Sequence, residues 1–376
     1  MKNSVFVAIS AALLLVSEST AQTSNLDAAL EATREAINTP GFSGAVIILH
    51  NGEPVLEEVR GLADQVSGRE NTLQTRFNIA SIGKFITAAA YVRSIDQARF
   101  DQSPAELLPE DSEWLSPDLR VSDLLAHRTN VESYITAPDG ERRLLATQSN
   151  ADVFQLVRES QNDPVAPRFD GLAYNNSNAI ITGQIISNLN DTSYEAAVEA
   201  LIFTPAGASS AEFARLSQST ELDLSLPYVE TGFDPESMQR PQPGQQLPSL
   251  YPVQAHSPLT NAMSSAAGGL YMSVPDLAQI GAATMDGRVL SLEELTIMCT
   301  SQLPVPRLIL GLGCGGRDFG PGKQRWGHNG GAPGVNAELA IFPDQGLVVA
   351  IASNHNQRGT PILQAFETAY FGLGED

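Results

Sequence analysis

The stretch FNIASIGKFITAAA, residues 77–90, is an apolar run with one lysine near its start. Lys84 is one of only three lysines in the chain, and it is the sole charged residue from Ile82 to Val92. The run predicts a helix buried nearly all round. A buried ammonium is costly unless partners hold it, and its pKa falls toward neutrality. Ser81 lies three residues earlier, so the two side chains share one helix face. A helix beginning at Ser81 places its hydroxyl at the positive helix end, with a free backbone N–H beside it. Serine with a neutral amine or a cation next to it is the chemistry of an activated nucleophile.

Working outward, residues 25–39 carry apolar positions at helical spacing and end at Pro40-Gly41. SGAVIILH and PVLEEVRGLA then read as strands joined at Asn51-Gly52, a hairpin signal. From Phe100 to Leu222 the pattern is mainly helical, with VSDLLAHRT, ADVFQLVRES, NAIITGQIISNL and YEAAVEALIFTPAG each predicted as a helix. Leu226 to Leu259 is rich in Pro and Gln and reads as a lid or as a passive linker. SVPDLAQIGAATM is helical. RLILGLGCG, QRWGHNG, NAELAIFP and GLVVAIASN are strands, with a turn at Pro343-Asp344-Gln345-Gly346, and PILQAFETAYF is a closing helix. Strand-rich ends around a helical middle predict an α/β (α+β) chain. One antiparallel sheet comes from both chain ends (about 25–98 and 262–376), flanked by the terminal helices, with an inserted helical subdomain (about 99–261).

Lys2, the apolar run Val5 to Val16, and the small residues Ser19 and Ala21 form a targeting signal. Cleavage is expected after Ala21, giving a mature chain of 22–376. The run is too short to span a bilayer. The expectation is an exported protein, periplasmic or secreted by a bacterium, without a membrane anchor. Cys299 and Cys314 could pair in an oxidising compartment or remain two buried thiols. The net charge of −21 argues against nucleic acid as a partner. GLGCGG at 311–316 matches a dinucleotide fingerprint, but RDFGPG follows it and cannot open a helix. No cofactor and no metal are expected, and no G-x-S-x-G elbow is present.

FNIASIGK, Tyr174-Asn175-Asn176 and His328-Asn329-Gly330 occur in that order, separated by roughly ninety and one hundred and fifty residues. Together with AAGGLYMSVPDLAQI, they resemble the penicillin-recognising serine hydrolases, specifically the class C β-lactamase and D-Ala-D-Ala carboxypeptidase superfamily with its esterase-like members. The resemblance covers about residues 25–375 and implies the β-lactamase/transpeptidase-like fold. It also implies roles. Ser81 would form an acyl-enzyme. Lys84 or Tyr174 would be its base, with cationic Lys84 stabilising a Tyr174 phenolate. Asn176 would donate to substrate and orient Lys84. His328 would bond substrate or Tyr174. The N–H groups of Ser81 and Gly331 would form an oxyanion hole, with Asn329 and Gly330 lining the substrate.

Class C enzymes usually carry lysine where this chain has His328, and histidine is mostly neutral at pH 7. The resemblance therefore implies a D-amino-acid peptide, amide or carboxylic ester substrate, with weak β-lactam turnover. The alternatives are a true class C β-lactamase and a non-catalytic peptidoglycan- or ligand-binding protein that kept the fold. One departure stands out: the family often reads H-T-S-G after the leucine pair, where this chain has Arg128, Thr129 and Asn130.

Overall fold

The computed structural model describes residues 24–95, 99–168, 171–230, 250–252, 262 and 264–374. The expected targeting signal and most of the Pro/Gln-rich segment lie outside them. Helix α1 (24–37) leads into the hairpin β1 (Gly44–His50) and β2 (Glu53–Arg60), joined at Asn51-Gly52. Five strands from the other end complete the sheet: β3 (Leu308–Leu310), β4 (Gly315–Asp318), β5 (Gln324–Ala332), β6 (Val335–Phe342) and β7 (Leu347–Ser353). Among the described residues the order is β2-β1-β7-β6-β5-β4-β3, and every pairing is antiparallel. The last strand thus pairs with the first, Gly44 opposite Ser353 and His50 opposite Leu347. This is the sheet from both chain ends that the strand placement predicts.

Both faces of the central strands are buried, so β1 and β7 are near-continuous apolar runs. Alternation along β6 divides the interior. Ala337, Leu339 and Ile341 join the larger core, which includes Phe85, Ile86 and Ala89 of α2 (Gly83–Arg93). Ala340 and Phe342 join a second core with Leu30 of α1 and with Leu363 and Phe366 of the closing helix. The inserted segment contributes α3 (Val121–Leu125), α4 (Asn150–Ser160), α5 (Asn176–Leu189) and α6 (Tyr194–Val198). α7 (Val274–Met285) returns the chain to the sheet, and α9 (Thr360–Phe371) closes it. The architecture is an antiparallel sheet flanked by helices with a helical insertion.

RLILGLGCG, read as one strand, is β3 followed by the turn into β4, and short helices at Pro104–Leu107 and Gly140–Leu144 escaped the sequence reading, as did the longer α8 (Leu292–Cys299). Its signal was present as Ser291 and Glu294, which form a reciprocal capping box. α8 ends on Cys299, and Cys299 is joined to Cys314 by a disulfide, 15 residues apart with Cα atoms 5.1 Å apart. The alternative of two separate thiols is thereby set aside. Within the closed loop, the Leu312 N–H donates to Met298 O (2.7 Å) and the Gly313 N–H donates to Leu125 O (3.0 Å). The bridge therefore ties α8 to α3. Closing a loop of this size stabilises by roughly 3 kcal/mol in the chain-entropy model. The paired variant Cys299→Ser/Cys314→Ser should lose about that much in denaturant melts and become insensitive to reductant. Melts unchanged by the double substitution would contradict it.

Candidate active site

The segment Phe77–Asn78 pairs with Tyr271–Met272, and the chain then turns sharply. Ala80 adopts a left-handed φ of 45°, and its N–H is held by Asn78 Oδ1 at 2.8 Å. A 3₁₀ turn over Ala80–Ile82 runs into α2 at Gly83. Ser81 therefore sits on a turn just before the α-helix. Two backbones press on this turn. Gly268, at φ +135°, lies so close that a Cβ there would stand 2.3 Å from Ala80 O, and one at Gly330 would stand 2.2 Å from Ile79 O. The side-chain-free positions let the 265–269 turn and β5 clamp the segment from two sides. The Ser81 N–H has no hydrogen-bond partner among the described residues and remains available as a donor.

Lys84 is 2% exposed, as the apolar helix requires. Its Nζ donates to Ala267 O at 2.6 Å and meets Ser81 Oγ at 3.1 Å. Among the described residues no carboxylate pairs with it. Burial pushes its pKa down to about 7, so the amine is partly neutral at physiological pH.

Tyr174 immediately precedes the N-cap of α5, where Asn175 Oδ1 accepts from the Ser177 N–H. Its ring is 52% exposed, while its hydroxyl points inward and donates to Ser81 Oγ at 2.9 Å. Burial of that hydroxyl raises its pKa, and the bond to Ser81 only partly offsets this. Lys84 Nζ lies over the ring, 5.0 Å from its centroid. Burial thus works against a Tyr174 phenolate, and the lowered pKa of Lys84 weakens the positive charge that would favour one.

Asn176 lines a cavity together with Ser81 and Gly331. It does not hold Lys84, whose bonds go to Ser81 and Ala267, and its buried Oδ1 has no partner. His328 lies half-buried on β5, with Nδ1 2.5 Å from Asn329 O. No bond joins it to Tyr174 or Ser81. Burial, and secondarily the charge of Lys84, lower its pKa to about 4. Side chains alternate along β5, so with Gly330 against Ile79 the Asn329 side chain faces the other way, opposite Glu338. The structure thus brings Ser81, Lys84, Tyr174, Asn176 and Gly331 together, sets His328 alongside, and turns Asn329 away.

The sequence reading missed two contributors. Ala267 acts through a carbonyl, which no side-chain motif reveals. His127, at the end of LLAH, is buried with its ring 4.5 Å from that of Tyr174. Its Nδ1 accepts from the Asn175 N–H and meets the Asn178 amide, each at 3.3 Å. Burial chiefly, with Lys84 and His328 adding repulsion, drops its pKa to about 3. The sequence reading placed this histidine inside the helix VSDLLAHRT and gave it no role, whereas the helix ends at Leu125 and His127 follows it at a left-handed φ of 54°. The departing Arg128-Thr129-Asn130 loop runs beside the 166–168 segment, with the Asn130 N–H on Ala166 O at 3.2 Å. Among the described residues, no group of three or more His, Cys, Asp or Glu could hold a metal ion.

A family model described as Beta-lactamase matches residues 26–368. A Bacillus subtilis (strain 168) protein named as a penicillin-binding protein, PbpX, is 23% identical over 338 residues, covering 89% of this chain and 76% of that protein. Among solved structures, a penicillin-binding protein from Bacillus halodurans superposes with a TM-score of 0.71 at 20% identity, covering 89% of this chain and 98% of the other. The D-amino acid amidase of Ochrobactrum anthropi SV3 superposes with a TM-score of 0.70 at 18% identity, covering 92% and 98%.

Proposed function

The chain belongs to the β-lactamase family, and from that premise we propose that it is an exported serine hydrolase acting through an acyl-enzyme on Ser81. Its substrates are amides or esters: a D-amino-acid peptide or amide, or a carboxylic ester, with slow turnover of β-lactams. The observation that carries this reading is the meeting of two proton-transfer groups on one hydroxyl. Lys84 Nζ at 3.1 Å and Tyr174 Oη at 2.9 Å both address Ser81 Oγ.

The chemistry follows from their pKa values. Neutral Lys84 takes the Ser81 proton as Oγ bonds to the acyl carbon, and the carbonyl π pair moves to oxygen. The N–H groups of Ser81 and Gly331 receive that oxyanion. As the tetrahedral intermediate collapses, the bond to the leaving group breaks. Tyr174 donates its proton to the departing oxygen or nitrogen and is reprotonated by the Lys84 ammonium. Water then attacks the acyl-enzyme, giving up its proton to the same pair, and Ser81 leaves with a proton restored.

A fluorophosphonate or fluorescent penicillin probe tests the proposal against a non-catalytic receptor. Covalent labelling at Ser81, mapped by mass spectrometry, is the expected result. Labelling by neither probe would sink the enzyme reading. With a chromogenic cephalosporin, only slow steady-state hydrolysis is expected, since His328 stays neutral where a β-lactamase usually carries a lysine. Fast turnover would instead favour a true β-lactamase.

A further inference from the structure

Resting on the reading of Tyr174 as the acid that protonates the leaving group, we infer that His127 is the positioning residue that aims it. Substrates with basic leaving groups then depend on His127, and activated esters do not. One residue grips Tyr174 from both sides along the chain. The Ala173 N–H donates to His127 O at 2.9 Å, and the Asn175 N–H donates to His127 Nδ1 at 3.3 Å. The His127 ring also lies 4.5 Å from the Tyr174 ring. Tyr174 needs such a hold, because it is 52% exposed and core packing does little to fix it. His127 pays for the grip with a left-handed backbone, φ 54°, which persists in a non-glycine residue only where the surroundings impose it.

Thr129 sets the direction of these bonds. Its hydroxyl donates to Asn178 Oδ1 at 2.7 Å, which turns the Asn178 amide nitrogen toward His127 Nδ1, 3.3 Å away. Both residues are buried, so water does not compete. Two donors, that amide and the Asn175 N–H, converge on Nδ1, which therefore accepts. The imidazole is neutral and carries its proton on Nε2. Burial acts the same way, lowering the His127 pKa to about 3. The chemistry then separates two kinds of substrate. Lys84 takes the serine proton, so the bond to the acyl carbon forms without Tyr174. When the bond to the leaving group breaks, its electron pair stays on the departing atom. A p-nitrophenolate leaves as an anion, whereas an alkoxide or an amide nitrogen needs the Tyr174 proton, which the Lys84 ammonium replaces. A mis-aimed Tyr174 slows only the second kind.

The native protein and His127→Phe are compared on p-nitrophenyl, phenyl and trifluoroethyl acetates, whose leaving groups grow more basic in that order. Phenylalanine keeps a ring and removes the acceptor. With kcat/KM read well below each melting temperature, the expected loss is under about threefold for the p-nitrophenyl ester and at least about tenfold for the trifluoroethyl ester. Equal losses on all three esters, or no loss, overturn the inference, because a merely loosened fold lowers every rate alike. His127→Asn offers an oxygen near the place of Nδ1 and tolerates the left-handed backbone, so it should recover part of the trifluoroethyl rate. No recovery counts against the bond. Thr129→Val, which releases the Asn178 amide, carries the same test where His127→Phe fails to fold: a selective loss supports the brace, and an unchanged profile overturns it. In a Tyr174→Phe background, His127→Phe should cost less than about a further twofold, and a fully additive loss overturns the coupling. The levels stay separate. Turnover surviving in Ser81→Ala defeats the acyl-enzyme, and a native leaving-group profile in Tyr174→Phe defeats Tyr174 as the acid. A selective loss in Tyr174→Phe with none in His127→Phe defeats only the role of His127.

Discussion

Ser81→Ala and Lys84→Met should each lower turnover by about 10⁴-fold, with the double variant scarcely worse than either alone. Groups that act as one unit lose nearly everything at the first deletion. Ser81 supplies the bonding oxygen and Lys84 the acceptor for its proton, so neither retains a function without the other. The native pH dependence identifies the amine as that acceptor. Burial leaves Lys84 with a pKa of about 7. The titratable groups facing it are His127, held near 3, His328, held near 4, and Tyr174, raised above its ordinary 10. Among these four groups only Lys84 changes its protonation between pH 5 and 9. The kcat/KM profile should therefore rise with pH through a single ionisation near 7, because the deprotonated amine is the active form. A falling profile, or one with no inflection in that window, would reject Lys84 as the base.

The same depressed pKa has a consequence for stability with a definite sign. The unfolded chain holds the Lys84 proton up to about 10.5, while the folded chain releases it near 7. Between those values the folded state binds fewer protons, so this group's contribution to stability rises with pH. Lys84→Met removes that dependence and the burden of an ammonium in an apolar helix. The inactive variant should melt at or above the native temperature at pH 7. A collapse in its melting temperature would mean that activity was lost through unfolding instead.

Gly268→Ala is the second large effect. A Cβ at this position meets Ala80 O at 2.3 Å and its carbon at 2.7 Å, and the backbone is at φ +135°. The strained φ and the forced displacement each cost about 1–3 kcal/mol, so a loss near 4 kcal/mol is expected. The displaced atoms belong to the turn that aims Ser81. Activity measured well below the melting temperature should therefore also drop, mostly in kcat. A variant with native melting and native kcat would show that the clamp is dispensable. Gly315→Ala is the control, since a Cβ there meets only Gly327 O, at 3.9 Å.

The fold was legible because its strands announce themselves. β6 and β7 are apolar runs bounded by a Pro343-to-Gly346 turn, and Asn51-Gly52 marks the opening hairpin. α8 was missed because its eight residues offer few turns of periodicity, although its capping box could have been found. At the site, Ser81, Lys84 and Tyr174 were legible as side chains in an ordered set of motifs. What the sequence could not convey was direction and depth. That Lys84 lies over the Tyr174 ring is a matter of a few ångströms set by tertiary packing. So is the preference of Lys84 for Ala267 O over Asn176. Asn329 was misread because a motif is contiguous in sequence while a strand sends alternate residues to opposite faces.

The pairing of β1 with β7 also sets a timetable. Gly44 leaves the ribosome more than three hundred residues before its partner Ser353. Until then β1 has one open edge, and β5, which presses on the Ser81 turn, has no β6 or β7 to anchor it. The nucleophile segment is thus delivered early and assembled late. A chain in transit that ends at Tyr174 carries Ser81, Lys84 and Tyr174 but neither the Gly268 turn nor β5, the two clamps on the nucleophile segment, and should hydrolyse nothing.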